Sequence, residues 1–415
     1  MTDQATWEDT MPKALFFNVP AHGHVNPSLP LVTELVRRGH HITYFATEHF
    51  RARVEATGAH FQPYATIHDD YFPSRRLHGG VLQRVAYELM RTTADILPDL
   101  LEQARAAQPD YILYDGMCPW GYAVAQALRL PAVVSLSLMP LNSPPLRNMM
   151  TMLPILLPAV LRDFSKGLQA NKHSQSLGKQ YNFPPLGPSS MLNAPGDLAI
   201  SYTSYYFQPF ADTVSKTVRF VGRTVHDVQA PADFSLDAAR GRPVIYVSLG
   251  TMNNVDTEFF ETCIRAFKGS DAYVVISTGN GVRPDSFGAL PENVAVHAWV
   301  PQAYLLERAA LFITHAGLNS VHDGLYFGVP LLLIPQQAEQ TINARRVVEL
   351  GAGLMLKKDQ VRVETIRTSV AQLLHDRRFR EEAHRIGESF RNAGGMQRAV
   401  DEIENLLRQR GFTAV

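Results

Sequence analysis

The sequence predicts two α/β domains, each built on a parallel sheet. Short apolar runs alternate with amphipathic helical stretches along most of the chain, the pattern of strand–helix–strand units. That alternation starts twice, at Ala14 and at Val244, and each start reads apolar run, polar turn with glycine, helix. Between the two halves residues 223–242 are polar with Gly, Pro and Ala, a linker composition. A chain of 415 residues with 46% hydrophobic and 19% charged positions is long enough for two domains of ordinary size.

The elements follow in order. Residues 1–11 are polar and acidic, without the pattern of a signal peptide, and read as disordered. Ala14 to Val19 is a strand, Pro20 to Pro27 a sharp turn, and the helix beyond carries Leu29, Val32, Leu35 and Val36 on one face before Gly39 stops it. His41 to Ala46 is the next strand, and the right-handed crossover makes its sheet parallel. Helix Glu48 to Thr57, strand His60 to Tyr64 and a long helix Gly79 to Ala107, bent near Pro98, come next. Strand Tyr111 to Tyr114 ends in Asp115, helix Trp120 to Leu128 follows, and Ala132 to Ser137 is another strand. Residues 138–196 are irregular in pattern, with Met and Pro clusters and a polar section from Lys166 to Gln180; strands are expected at Leu198 to Ser201 and Val218 to Val221. The second half runs strand Val244 to Leu249, helix Thr257 to Lys268, strands Tyr273 to Ser277 and Val294 to His297, a stretch from Trp299 to Gln340, helix Ile342 to Leu350, and three helices near 362–375, 378–392 and 396–409. Parallel sheets of this kind bind ligands beyond the C-terminal ends of their strands, so two such domains facing each other enclose a cleft.

The stretch Trp299 to Gln340 holds the densest chemistry. The run Leu311 to Ile313 is a buried strand that passes through His315-Ala316-Gly317 into a helix ending at Gly328, and Leu331 to Ile334 is a second buried strand. A strand feeding a helix through a glycine turn makes an anion site, because free backbone N–H groups and the helix dipole both favour negative charge. His315 and Ser320 stand at that turn as hydrogen-bond donors for phosphate oxygens. Asp323, one turn deeper on the face of Ser320, is placed to accept from a sugar diol. Trp299 offers a flat face to a base, and Glu339 and Gln340, in a closing loop, offer groups that read hydroxyls. Each alone has a plainer reading: a core aromatic, a loop histidine, a solvated helix acid, a helix-start pair. Their joint order and spacing carry the inference.

The pattern W-x-P-Q, T-H-A-G-x-x-S, an acid eight residues after the histidine, and P-Q-x-x-E-Q resembles the donor-binding signature of the inverting UDP-glycosyltransferases, a family that includes bacterial macrolide glucosyltransferases. The resemblance implies the GT-B architecture, two Rossmann-like domains facing across a cleft: an acceptor-binding domain over 1–222, a linker over 223–242, a nucleotide-sugar domain over 243–393, and a last helix, 394–415, returning to the first domain. It implies that Trp299 stacks on uracil, Gln302 contacts the nucleoside, Asp323 binds the ribose, His315, Asn319 and Ser320 hold the diphosphate, and Glu339 and Gln340 bind the transferred sugar. Val300 and Gly317 belong to the same set. Ser248, Gly250 and Thr251 resemble the family's second turn, V-S-x-G-[ST]. The chain departs at one position: the ribose acid is commonly Glu, and here it is the shorter Asp323.

Transfer of a glycosyl group also needs a base for the acceptor hydroxyl. His24 lies in the turn after the first strand, and an imidazole titrates near neutrality. Asp115 ends a strand of the same predicted sheet and is placed to orient that imidazole, the pairing the resemblance also implies. His22 competes for the role, and Asp115 alone also fits a helix cap. No D-x-D occurs, so the paired carboxylates of metal-bound nucleotide-sugar sites are missing and neither metal nor cofactor is expected. Lys+Arg and Asp+Glu both number 39, for a formal net charge of zero, which argues against nucleic acid or an anionic membrane as the main partner. The longest apolar run, Met149 to Leu161, holds two prolines and is shorter than the roughly 20 residues of a membrane-spanning helix. Cys118 and Cys263 fall in different halves, so no disulfide and a reducing, cytoplasmic setting are expected.

The expected activity is therefore transfer of a hexose, glucose from UDP-glucose, onto a hydroxyl of a lipophilic molecule such as a macrolide, polyketide or flavonoid. The Met- and Pro-rich region 138–160 suits a permissive pocket for it. The alternatives are a dTDP-deoxysugar transferase, a nucleotide-sugar epimerase or hydrolase, and a non-catalytic accessory subunit. A monomer and a homodimer are both compatible with the sequence.

Overall fold

Both predicted sheets form, and every strand pair in them is parallel. The computed structural model describes residues 11–69, 82–140, 161, 163–187, 190, 195–225, 234–250, 256–279 and 281–412. The chain separates into two units, one of Met1–Ser204, Phe210–Gly222 and Gly394–Val415, the other of Tyr205–Pro209 and Arg223–Ala393. Residues 226–233 of the expected linker, most of the Met- and Pro-rich region and the first ten residues lie outside the described residues.

The first unit contains β1 (Lys13–Phe17), α1 (His22–Arg37), β2 (His41–Ala46), α2 (Arg51–Glu55), β3 (His60–Pro63), α3 (Leu82–Ala107), β4 (Tyr111–Asp115), α4 (Pro119–Leu128), β5 (Ala132–Leu136), α5 (Phe164–Tyr181), β6 (Leu198–Ser201) and β7 (Val218–Phe220). Its sheet runs β3-β2-β1-β4-β5-β6-β7. The direction of winding reverses between β1 and β4, which leaves a crevice at their C-terminal ends. The central strands β4 and β5 are buried along their whole length, as expected for a parallel sheet covered on both faces.

The second unit contains β8 (Val244–Ser248), α6 (Thr257–Phe267), β9 (Tyr273–Ser277), β10 (Val294–His297), α7 (Gln302–Arg308), β11 (Ala309–Thr314), α8 (Leu318–Tyr326), β12 (Leu331–Leu333), α9 (Ala338–Glu349), β13 (Gly353–Met355), α10 (Val363–His375) and α11 (Arg377–Arg391). Its sheet runs β10-β9-β8-β11-β12-β13, so the reversal lies between β8 and β11. The last helix, α12 (Gly395–Gln409), belongs to the first unit. Its Met396, Ala399, Val400, Ile403 and Leu407 share a core with Val25, Leu31, Val32 and Leu35 of α1. Arg38, which caps α1, donates to Asp401 at 2.6 Å and Glu404 at 3.3 Å, and Gly395 N donates to Val221 O at 2.9 Å.

Some local expectations need correction. The turn after β1 is shorter than Pro20 to Pro27, because α1 already starts at His22. Lys166 to Gln180 is not irregular but part of α5, which packs on α3. Its buried stripe is Ala170, Ser174, Leu177 and Gly178, at helical spacing but mostly small and partly polar, so it carries no hydrophobic period. Glu339 and Gln340 are not in a loop but in the first turn of α9, which starts four residues before Ile342. Gln340 Oε1 accepts from the backbone N–H of Gln336 at 2.8 Å and Gln337 at 3.2 Å, and this capping contact fixes the earlier start. The three-residue strand β13 is too short for a period-two pattern to reveal.

Candidate functional site

The first group of polar side chains gathers at the β1/β4 reversal. His24 lies in the first turn of α1, and Asp115 is the last residue of β4. His24 Nδ1 is 3.0 Å from Asp115 Oδ1 and 2.7 Å from Ser137 Oγ, and Ser137 Oγ donates to Asp115 Oδ2 at 2.7 Å. Ser137 follows β5, which pairs with β4 in the register Asp115↔Ser135. The backbone N–H of Met117 also donates to Asp115 Oδ1, at 2.8 Å. Asp115 is fully buried, while the His24 side chain is 15% exposed. With the carboxylate and the hydroxyl both at Nδ1, the proton belongs on Nδ1 and the basic lone pair on Nε2.

His22 is turned to other work. Its Nε2 is 3.2 Å from His49 Nε2, and Arg53 Nη1 is 3.3 Å from its Nδ1. Burial first, then the Arg53 charge and His49, lower its pKa to about 4. The competitor of His24 is thus a weak base occupied by its neighbours.

The second group lies at the β8/β11 reversal. The register Thr314↔Ser248 sets the turns after these two strands side by side. The His315 ring fills the space between Gly250 and Gly317: a Cβ on either glycine would strike it. Gly250 has φ +77° and Ala316 φ +65°, so the turn adopts left-handed backbone on both sides of the ring. Ala316 O accepts from Asn343 Nδ2 at 3.0 Å, which holds the second turn. Burial lowers the His315 pKa to about 4, partly offset by a hydrogen bond with the Ser248 backbone, so the imidazole is neutral at pH 7. Ser248 Oγ accepts from Gly250 N at 3.2 Å. Gly317 is the N-cap of α8, and Asn319 and Ser320 sit in its first turn. The N–H groups that open this helix lie beside the neutral imidazole.

Asp323, one turn along α8, is held from two directions. Arg223 Nε and Nη2 both lie 2.8 Å from its Oδ1, and Gln302 Nε2 donates to its Oδ2 at 2.7 Å. Arg223 Nη1 also donates to Asn319 Oδ1 at 3.4 Å. Gln302 opens α7, and its Oε1 accepts from Tyr246 OH at 3.3 Å. Trp299, in the loop between β10 and α7, is 54% exposed, and Val300 beside it is half-buried. Glu339 is exposed and accepts from Asn343 Nδ2 at 2.7 Å. The structure therefore brings Gln302 to Asp323 directly and Asn319 to it through Arg223, and His315 together with Ser248, Gly250 and Gly317. Thr251 lies outside the described residues.

Comparisons with known proteins identify the family. Residues 262–406 match the family described as erythromycin biosynthesis protein CIII-like, C-terminal domain. The chain is 33% identical over 403 residues to the NDP-glycosyltransferase YjiC of Bacillus licheniformis, covering 95% of this chain and 98% of that protein. The chain belongs to the bacterial UDP-glycosyltransferase family. It is 30% identical over 408 residues to another member, the uncharacterized UDP-glucosyltransferase YojK of Bacillus subtilis, covering 97% of this chain and 100% of that one. Among solved structures it is similar to CalG4, the calicheamicin glycosyltransferase, with TM-score 0.79 and 31% identity over 96% of this chain and 99% of that one. As a member of the UDP-glycosyltransferase family the chain is a glycosyltransferase of GT-B fold. No helix among the described residues is long and apolar enough to cross a membrane.

Two residues of these groups escape a reading of the sequence. Ser137 closes a predicted strand beside the one ending in Asp115, and the rule that ligands lie beyond strand C-termini points to it. Arg223 lies at the start of what reads as a linker, where an arginine carries no signal.

Proposed function

We propose that this glycosyltransferase moves a hexose, glucose from UDP-glucose, onto a hydroxyl of a lipophilic natural product, without a metal and with inversion at the anomeric carbon. The observation that carries the reading is the His24–Asp115–Ser137 cluster. The acceptor O–H gives its proton to His24 Nε2 as its oxygen bonds to C1 of the sugar. The bond from C1 to the diphosphate oxygen breaks, and its electron pair leaves with the diphosphate. Asp115 stabilises the imidazolium that forms and Ser137 holds Asp115 in place. One direct displacement inverts the centre.

The second unit would hold the donor: Trp299 and Val300 the base, Gln302 and Asp323 the nucleoside, and Glu339 with Gln340 the sugar. The first turn of α8 with His315, Asn319 and Ser320 would stabilise the leaving diphosphate, with Ser248 and Thr251 helping from the neighbouring turn. The absence of D-x-D supports a metal-free route. The acceptor class draws on the likeness to a calicheamicin glycosyltransferase.

The test is UDP release from UDP-glucose in EDTA, with and without a panel of hydroxylated aromatics and macrolides. Release that requires an acceptor, survives EDTA and falls by about a thousandfold or more in His24→Ala is the expected result. Release without any acceptor would replace transfer by hydrolysis.

A further inference from the structure

The turn that carries His24 gets little help from its own helix. Ala21, the N-cap of α1, has no side-chain oxygen to cap with. Pro27 and Pro30, inside the helix, bring no N–H to its ladder. Support comes from Asn18, the fully buried residue that follows β1. A carbonyl only accepts, so the amide nitrogen of Asn18, and not its oxygen, faces His24 O, at 3.4 Å. The same nitrogen lies 2.6 Å from Tyr44 OH of β2 and 3.1 Å from Ser28 Oγ of α1. Ser28 Oγ donates to Val25 O at 2.8 Å, so it accepts the hydroxyl hydrogen of Tyr44, also at 2.8 Å. The carbonyls of His24 and Val25 are both tied in this way to the ends of β1 and β2.

The backbone of Asn18 extends the chain of bonds in the other direction. Its O accepts from Tyr64 OH at 2.9 Å, and Tyr64 OH accepts from Trp120 Nε1 at 3.1 Å. Trp120 lies in the first turn of α4, two residues beyond Cys118, whose N–H donates to Asp115 O at 2.8 Å. Ser28, Tyr44, Tyr64 and Trp120 are buried like Asn18, where breaking one bond strands its partner. One buried path therefore joins the segment of Asp115 to the turn of His24, and the two side chains meet at 3.0 Å.

We propose that Asn18 is a positioning residue for glycosyl transfer: its amide and Tyr44 fix the first turn of α1, its carbonyl and Tyr64 fix that turn against the segment of Asp115, and His24 Nδ1 is thereby kept on the carboxylate. This inference rests on His24 being the base, as proposed above.

Nitrogen NMR of the full chain labelled at histidine reads the His24 ring without any ligand, its signals assigned by their loss in His24→Ala. A ring fixed as the Nδ1–H tautomer shows two widely separated nitrogen shifts, and a ring that exchanges tautomers shows them drawn together. The wild type is expected to show the fixed tautomer. Asn18→Ala, and Tyr44→Phe, which keeps the buried ring, are expected to draw the two His24 shifts together. The signals of His40, held by Tyr111 OH at 2.8 Å in the same unit, should stay in place and show that the unit is folded. In the UDP-release assay, kcat should fall about tenfold in both variants, the worth of one buried hydrogen bond, with the KM for UDP-glucose within about twofold. His24 shifts that stay apart in both variants, or an unchanged kcat in both, overturn the role of Asn18 and leave the base assignment standing as long as His24→Ala abolishes transfer. A wild-type His24 without a fixed tautomer, or a fully active His24→Ala, removes the base assignment, and the role of Asn18 falls with it.

Discussion

An imidazole serves as a directed base only when its proton is fixed on one nitrogen, and in this chain two side chains do the fixing. Asp115 supplies charge, and Ser137 supplies a hydroxyl that bridges Nδ1 and the far carboxylate oxygen. Ser137→Ala is expected to lower kcat about fivefold to tenfold, the worth of one hydrogen bond, with KM little changed. Ser137→Thr, which keeps the hydroxyl, should recover most of the loss. Equal losses in the Ala and Thr variants would reduce Ser137 to packing. Asp115→Asn, which can no longer favour the Nδ1–H tautomer, should cost about a thousandfold or more in kcat. Asp115 was legible in the sequence because a polar residue closing an apolar run marks a strand end, and His24 as an imidazole soon after the first strand, though it stands in the first turn of α1 and not in a turn before it. Their distance was not, since it depends on how β1 and β4 pair across more than ninety residues of intervening chain. Arg223 stayed invisible because its partner lies 100 residues away.

At the scale of elements, the parallel register of β8 and β11 is what turns two glycine loops into one cradle. Glycine is needed at 250 and 317 because the His315 ring occupies the space of a side chain. Gly317→Ala should push the ring aside and weaken UDP binding about tenfold, since misplacing one preorganised donor costs on the order of 1–2 kcal/mol. Titration calorimetry measures this directly, and unchanged affinity would remove His315 from the donor site. Strands and most helices were legible because buried parallel strands are short unbroken apolar runs. The start of α9 was not, because Gln337 and Gln340 cap it by a pairing that polar side chains do not advertise. The helix α5 was hidden by a buried face of small residues.

At the scale of the molecule, several histidines are held neutral. Burial lowers the pKa of His40 and His315 to about 4 and holds that of His322 well below its usual value, and His22 also falls to about 4. Each is depressed in the folded state, so between about pH 6.5 and 4 the unfolded chain binds more protons and stability is lost as the pH falls. Above pH 6.5 these groups add no slope. Denaturant unfolding from pH 7 to 4.5 should show this decline, and His40→Gln should flatten it by about 1.4 kcal/mol per pH unit. An unaltered slope would clear His40 of any part in acid sensitivity. The core between α1 and α12 is a second global constraint. Ile403→Ala should cost about 2–5 kcal/mol, read from urea unfolding of the first unit. That same helix has a consequence for biosynthesis. The nascent chain releases β1 to β7 from the ribosome long before Gly395, and until the final helix emerges the apolar face of α1, with Val25, Leu31, Val32 and Leu35, waits without its partner. The earliest-made half of the enzyme is thus the last to finish folding, and a ribosome stalled after Ala393 would hold an exposed apolar seam for chaperones to guard.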